Sequence, residues 1–462
     1  MAETQNYDLV VIGAGQSGDP LARAFAAAGK TVALVERDQV GGTCVNVGCT
    51  PTKTMVASAR VAYLARRAAD YGVGAGPVSV DLSVVRERKR AIVKDFRGGS
   101  EHKLAAQQGL DLIYGEARFT GPKEIAVALR EGGERLLTGG VVVLNVGARP
   151  APPDLPGLRE IPFLDSTSIM ELNSVPEHLL VLGGGYIALE FAQMFRRFGS
   201  QVTIAQRSGH LLGREDKDVT DEVLKIVRED GIEVLLNAAA QHVEGGADGV
   251  RLTVTVDGAE RILSGSHLLV ATGRRPNTDR LGAEAAGVAL DPQGNIIVND
   301  RLETSVSGVY AMGDAKGGPA FTHISYDDFR ILKANLLDGG SRSVQDRPTP
   351  YTMFIDPQLG RVGLSETEAK AQGRSYRVAK LPMSSVARAL ETDESRGFMK
   401  ALVDTDSGQI LGAAILGLDG GEVMGALQIA MMGKLPYTAL RDGVFAHPTL
   451  LESLNNLFLT LD

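Results

Sequence analysis

The hydrophobic and polar positions fall into short apolar runs closed by glycines, and one such arrangement occurs twice. Tyr7–Ile12 (YDLVVI) leads into Gly13-Ala14-Gly15-Gln16-Ser17-Gly18, then an alanine-rich helical stretch to Ala28, then a second run, Thr31–Val35, ending at Glu36. His178–Leu182 (HLLVL) leads in the same way into Gly183-Gly184-Gly185-Tyr186-Ile187-Ala188, a helix through Phe198 and the run Gln201–Ala205. Buried strand, glycine turn, helix and second strand, in that order, is what a doubly wound parallel sheet requires. The repeat predicts two dinucleotide-binding folds, or one duplicated ancestor.

A second echo extends the duplication. Val141–Pro150 (VVVLNVGARP) and Leu268–Pro276 (LLVATGRRP) each join an apolar strand to a Gly-x-x-Pro exit, at Gly147 and at Gly273. The proline-rich Arg149–Pro156 reads as a crossing between domains. Gly308–Asp314 (GVYAMGD) is a further strand, and a helix is expected from about Ser325. From about Pro348 the pattern changes to alternating strands, Arg377–Leu381 and Met399–Val403, and a helix over Glu422–Met432. That combination predicts an α+β region of its own.

At 462 residues the chain is long enough for two or three domains with substantial cores. Its formal charge of −8 argues against nucleic acid as a partner, because phosphate needs a basic face. The basic run Arg86–Arg90 includes Glu87 within a helix-like stretch, and reads as a solvated helix face. No apolar run reaches membrane-spanning length, and Met1–Asn6 leads directly into the first strand with no room for a signal sequence. A cytoplasmic protein with no membrane partner is expected.

Gly13, Gly15 and Gly18 permit a tight turn and close approach of backbone to a pyrophosphate, which the following helix N-terminus attracts. Glu36, at the end of the next strand, is placed to accept hydrogen bonds from a ribose diol. In the second copy Ala188 replaces the third glycine, where one methyl is admissible beside Gly183 and Gly185. Gln206 stands where an acid would repel a 2′-phosphate, and Arg207 and Arg214 follow, a combination that favours NADPH over NADH.

The only two cysteines lie in Gly41–Lys53 (GGTCVNVGCTPTK), at Cys44 and Cys49. A structural disulfide, a metal site and a redox pair are the three readings. No further cysteine or histidine lies close in sequence, and no metal site is expected. A helix expected over Thr52–Ala65, with Lys53 in it, would lower a thiol pKa and favour redox work. Near the C-terminus, Pro448 holds His447 at a turn, and Glu452 is spaced to orient one ring nitrogen while the other shuttles protons.

Taken together, the cysteine segment, the paired fingerprints, Ala271–Asn277 (ATGRRPN), Gly308–Asp314 and His447–Glu452 (HPTLLE) resemble the pyridine nucleotide–disulfide oxidoreductases. The resemblance covers essentially the whole chain and implies an α/β protein with two Rossmann-like domains plus a C-terminal α+β dimerisation domain. Residues 1–147 and 276–345 would bind FAD, 148–275 would bind NAD(P), and 346–462 would form the homodimer interface. By matching position, Cys44 would be the interchange thiol and Cys49 the thiol against the flavin. Lys53 would sit near the reactive flavin nitrogen, paired with Glu190. Asp314 would bind the ribityl chain, with Ala320, Phe321, Thr322 and His323 along the ring edge and Thr43, Gly147 and Gly273 completing the cofactor sites. Tyr186 would cover the nicotinamide, and His447 with Glu452 would be an acid–base pair donated across the dimer.

Gly183–Glu190, Phe321–Ile331 and His447–Phe458 are most similar to the mercuric-reductase-like and reactive-chlorine-resistance flavoproteins. The sequence departs from mercuric reductases in having no cysteine after Cys49, so a route handing metal inward through a C-terminal cysteine pair is not expected. The implied activity is electron transfer from NAD(P)H through FAD and the cysteine pair to a disulfide, quinone or thiophilic metal-ion acceptor. Dihydrolipoamide dehydrogenase and a redox sensor that holds FAD without turnover are the alternatives.

Overall fold

Both glycine-punctuated repeats fold as parallel sheets, because their strands are apolar on both faces and are covered on both. The computed structural model describes residues 4–246, 249–345 and 347–462. Residues 1–3 and 346, with which the expected segments 1–147 and 346–462 begin, lie outside the described residues. The chain divides into two units. The first takes the chain up to Met55, Ser83–Ala151 and Gly273–Arg347; the second takes Val56–Leu82, Pro152–Thr272 and Pro348–Asp462.

In the first unit the strands Leu110–Gly121, Val32–Glu36, Thr4–Ile12, Glu134–Leu144 and Val309–Ala311 lie parallel in that order. Glu124–Leu129 joins the far ends of Leu110–Gly121 and Glu134–Leu144 as an antiparallel strand. Side-chain alternation splits the central strand between two cores. Leu9 and Val11 pack with Leu21 and Phe25 of the helix Gly18–Ala27, while Val10 and Ile12 pack with Phe119 and Ile125.

The second unit repeats the parallel order with His267–Val270, His178–Leu182, Gln201–Ala205 and Glu233–Leu235. Its helix Tyr186–Phe198 follows the glycine turn directly. A five-stranded antiparallel sheet runs Tyr351–Met353, Gln358–Gly363, Ile410–Gly417, Phe398–Asp404 and Tyr376–Pro382. Leu427, Leu454 and Phe458, from the helices Gly420–Met432 and Ser453–Leu459, pack with Met399 and Ile415 of that sheet.

The two copies are closed by the same contact. Gly13 and Gly183 have φ of +106° and +116°, and a Cβ there would stand 2.3 Å from the Asn145 carbonyl oxygen and 2.5 Å from that of Ala271. Asn145 and Ala271 in turn donate their amides to Ile12 and Leu182, at 2.8 and 2.9 Å. The duplication in the sequence is thus one of backbone geometry, and both contacts require glycine.

Three local expectations need correction. The helix expected over Thr52–Ala65 is Cys49–Arg66, because Pro51 falls in its first turn, where amides lack intrahelical acceptors and proline costs little. The helix expected from about Ser325 is Thr322–Leu336. Within the basic run, Glu87, Arg88 and Arg90 are exposed, but Lys89 is buried.

A buried ion cluster braces the second unit. The Lys400 ammonium, nearly inaccessible to water, meets Asp216 at 3.1 Å, Asp218 at 2.9 Å and Glu366 at 2.6 Å. Burial raises the Asp216 carboxyl, but the Glu366 and Thr367 amides and Lys400 outweigh it and hold its pKa at about 2. A lowered pKa contributes stability that is present above the ordinary value of 3.8 and is lost as pH falls toward 2. Unfolding midpoints measured from pH 6 downward should therefore fall more steeply below about pH 4 in the native chain than in Asp216→Asn. Parallel acid limbs would remove Asp216 from the account.

Candidate functional site

Cys44 lies in the short helix Gly42–Asn46, and Cys49 opens the helix Cys49–Arg66. Both are thiols, with Cys44 half-buried and Cys49 exposed. A side-chain hydrogen bond with Cys49, reinforced by burial, pushes the Cys44 thiol well up from its ordinary pKa. The Cys49 sulfur lies 3.3 Å from Thr322 Oγ1, at the first residue of the helix Thr322–Leu336. The Phe321 and His323 rings on either side stack with centroids 5.5 Å apart, and Ala320 precedes them on the surface. Thr43 is exposed beside Cys44, and half-buried Lys53 stands one helical turn after Cys49.

The first fingerprint, in the same unit, has the features a dinucleotide needs. Gly41 and Gly42 bring the cysteine segment against Gly15, so that a Cβ on Gly42 would stand 2.8 Å from the Gly15 Cα. Glu36 accepts the amides of Ala14 at 2.9 Å and Asp38 at 2.8 Å. Burial raises its carboxyl pKa against those two bonds. Burial likewise raises that of Asp314, which Arg274 and Lys316 counter. Carboxylates desolvated in this way gain from hydroxyl donors, which ribose and ribityl chains supply. At the strand exit Gly147 (φ +66°) has open space where a side chain would be. The residues present therefore fit FAD.

The second fingerprint stands in the other unit. Space beside Gly185 is open, Tyr186 is the first residue of its helix, and the Ala188 methyl is wholly buried. Gln206 Nε2 donates to Ser208 Oγ at 2.5 Å and to the His210 carbonyl at 3.3 Å. Arg207 and Arg214 are exposed nearby in sequence. Glu190, one turn into the helix, is buried and accepts the Phe354 amide at 2.8 Å. Gly273 (φ +156°) begins the last segment of the first unit and accepts the Ala151 amide at 3.0 Å.

In the second unit His447 Nδ1 lies 2.8 and 3.0 Å from the two carboxylate oxygens of Glu452. The spacing read from the sequence thus produces the expected pair, with the imidazole 69% exposed. The C-terminal region also exposes apolar side chains: Ile429 at 71%, Met432 at 67% and Val444 with no cover at all.

Sequence reasoning missed a buried set of three polar residues at the fingerprint loop. Ser17 Oγ donates to Asn145 Oδ1 at 2.7 Å, meets Ser325 Oγ at 2.7 Å, and Asn145 Nδ2 donates to the Gly13 carbonyl at 2.9 Å. Ser17 lay inside the fingerprint as an unassigned position, and only the buried setting of Asn145 and Ser325 reveals their roles. Among the described residues the cluster suited to a metal ion is Asp216, Asp218 and Glu366, whose centre the Lys400 ammonium already occupies.

The sequence models of the pyridine nucleotide-disulphide oxidoreductases match residues 7–328, and those of their dimerisation domain match 349–458. The chain belongs to this family and is an NAD(P)H-dependent oxidoreductase of the flavin disulfide class. It is 38% identical over 456 residues to the probable pyridine nucleotide-disulfide oxidoreductase RclA of Escherichia coli, covering 98% of each chain. It is 35% identical to a mercuric reductase of Staphylococcus aureus, covering 99% of this chain and 83% of that one. A solved structure described as the Cu(II) complex of the HOCl-induced flavoprotein disulfide reductase RclA superposes with a TM-score of 0.90 at 37% identity, covering 99% of this chain and 100% of that one. Membership implies FAD and a pyridine nucleotide, and the dimerisation domain supports a homodimer. Among the described residues no helix is long and apolar enough to cross a membrane.

Proposed function

We propose that the chain oxidises NADPH and passes the electrons through the Cys44–Cys49 pair to a thiophilic metal ion, with a disulfide as the second acceptor class. The observation that carries this reading is the placement of the pair: two cysteines whose side chains hydrogen-bond each other, one exposed, at the start of a long helix. The metal-ion preference is supported by relatives named as a Cu(II) complex and as mercuric reductases. Soft thiolates favour such ions.

FAD, when bound, supplies the two-electron relay between the nicotinamide and the thiols. Glu36 receives ribose hydroxyls, Asp314 receives the ribityl chain, and Lys53 favours negative charge at the ring. Tyr186 covers the nicotinamide site. With a metal ion, both sulfurs bind it as thiolates after releasing their protons, and two Cu(II) ions are reduced for each dithiol that closes. With a disulfide, His447 takes the Cys44 proton as that thiolate attacks one sulfur and returns it to the departing thiolate. Cys49, giving up its own proton, then attacks the Cys44 sulfur, and the second thiol leaves carrying that proton. Glu452 holds the imidazole in the orientation this needs.

The uncharged Gln206 with Arg207 and Arg214 supports NADPH. Gln206→Glu places an anion where the 2′-phosphate sits, and the ratio of kcat/KM for NADPH over NADH should fall about tenfold or more. An unchanged ratio would remove Gln206 from nucleotide choice. The decisive assay of the whole reading follows anaerobic NADPH consumption with Cu(II), Hg(II), a small disulfide and a quinone in turn. Turnover with dihydrolipoamide and NAD alone would favour a dehydrogenase, and no acceptor-dependent rate would favour a sensor.

A further inference from the structure

The first fingerprint loop is braced from within by side chains that the second copy does not possess. Asn145, buried at the end of its strand, donates from Nδ2 to the Gly13 carbonyl at 2.9 Å. That carbonyl can only accept, so the orientation of the Asn145 amide is fixed, and its Oδ1 takes the Ser17 hydroxyl at 2.7 Å. A hydroxyl has one proton, and that of Ser17 is committed to Asn145. Ser325 must therefore donate in the 2.7 Å contact between the two serines. The relay runs one way, from Ser325 through Ser17 and Asn145 to the Gly13 carbonyl. On the other side of the same peptide unit, the Ala14 amide donates to Glu36 at 2.9 Å. The Gly13–Ala14 peptide is thus clamped twice, at its oxygen by Asn145 and at its hydrogen by Glu36.

Position by position, the second copy has Ala271 for Asn145, Ile187 for Ser17 and Ala188 for Gly18. None of those three side chains can give or take a hydrogen bond. The exchange is also one of volume. A Cβ at Gly15 or Gly18 would stand 3.2 or 2.7 Å from Asn145 Nδ2, and one at Gly18 would meet the Gly13 oxygen at 2.0 Å. In the second copy the space beside Gly185 is open and the Ala188 methyl is accommodated. From this contrast we infer that Asn145 is the positioning residue that makes the first loop the holder of a resident FAD. It fixes the Gly13–Ala14 peptide, and through it Glu36, before the cofactor arrives. A loop already in its bound shape gives up less freedom on binding, and the gain falls mainly on the rate of leaving. The second loop works without this brace, which suits a nucleotide that must come and go in every turnover.

This inference rests on the reading above that FAD occupies the first fingerprint, but its test needs no electron acceptor. Holoprotein is diluted into flavin-free buffer and released FAD is followed by its fluorescence, while calorimetry measures NADP+ binding to the same preparations. Asn145→Ala should raise the FAD dissociation rate about tenfold or more, as expected for a buried carbonyl left without its donor. The dissociation constant for NADP+ should stay within about twofold. Ser17→Ala and Ser325→Ala should speed FAD release by smaller amounts. Gly18→Ala adds a readout that a general loss of stability would not move. Its methyl should hasten FAD release strongly in the native chain and much less in Asn145→Ala, where the Gly13 carbonyl is free to move aside. Should Asn145→Ala fold poorly, the same pairing with Gly18→Ala is made in Ser17→Ala. An unchanged FAD rate in Asn145→Ala, NADP+ affinity falling in step, or additive costs of the paired substitutions overturns the assignment. If the rates move as stated while NADPH fails to reduce the cysteine pair, the proposed function falls and this inference survives.

Discussion

Cys44→Ser is expected to abolish acceptor-dependent NADPH oxidation, with a loss of about a thousandfold or more, since a serine hydroxyl neither exchanges with sulfur nor binds a soft ion well. Reduction of the flavin by NADPH in a single anaerobic turnover should continue at close to the native rate. The separation follows from placement: Cys44 shares its hydrogen bond with Cys49 and is not part of the second fingerprint, where the nucleotide is expected. Stopped-flow flavin bleaching beside steady-state Cu(II) and disulfide assays reads both steps. Equal losses in the two would mean that Cys44 holds the cofactor site together and is not the outlet for its electrons.

The second large effect separates the two acceptor classes. His447→Ala should lower disulfide reduction by about a hundred- to ten-thousandfold, the usual reach of a positioned acid–base group. Cu(II) reduction should fall much less, because binding an ion to thiolates has no leaving thiol to protonate. Glu452→Gln should produce a milder version of the same split, as it removes only the carboxylate 2.8 Å from Nδ1. If both acceptors lose activity alike in His447→Ala, the imidazole serves the dithiol itself and not the departing group.

Much of this architecture was legible before any coordinates. The strands His178–Leu182 and Gln201–Ala205 begin and end where the apolar runs do, because a parallel strand buried on both faces must stop where its side chains turn polar. The His447–Glu452 pair was legible for a different reason: both members lie within one short turn. Helix starts were read less well. Thr322 opens its helix three residues early because the cap residue, Phe321, is none of the Ser, Thr, Asp or Asn residues that advertise a helix start in a sequence. Pro51 lies just before the expected start at Thr52, yet it stands inside the first helical turn.

The rest was beyond local pattern altogether. Ser17 and Ser325 meet across 308 residues, and Asn145 joins them from a third segment, so no periodicity or spacing announces the contact. Lys400 gives the same lesson with charge. A lysine in a sheet strand reads as a surface residue until Asp216, Asp218 and Glu366 arrive from elsewhere in the chain to surround it. Burial of Lys89 in an otherwise basic, exposed helix run is a further instance.

The bare side chain of Val444 stands three positions before His447, and Ile429 and Met432 are largely uncovered on the helix Gly420–Met432. Greasy surface of that kind invites association, and here it borders the stretch that would supply the proton donor. If, as the family resemblance implies, His447 serves the thiols of a partner subunit, a subunit adrift in dilute solution would forfeit its imidazole partner along with its shelter from water. Catalysis of the proton-requiring reaction would then scale with how many chains have found a mate, while metal reduction would lean on that pairing far less.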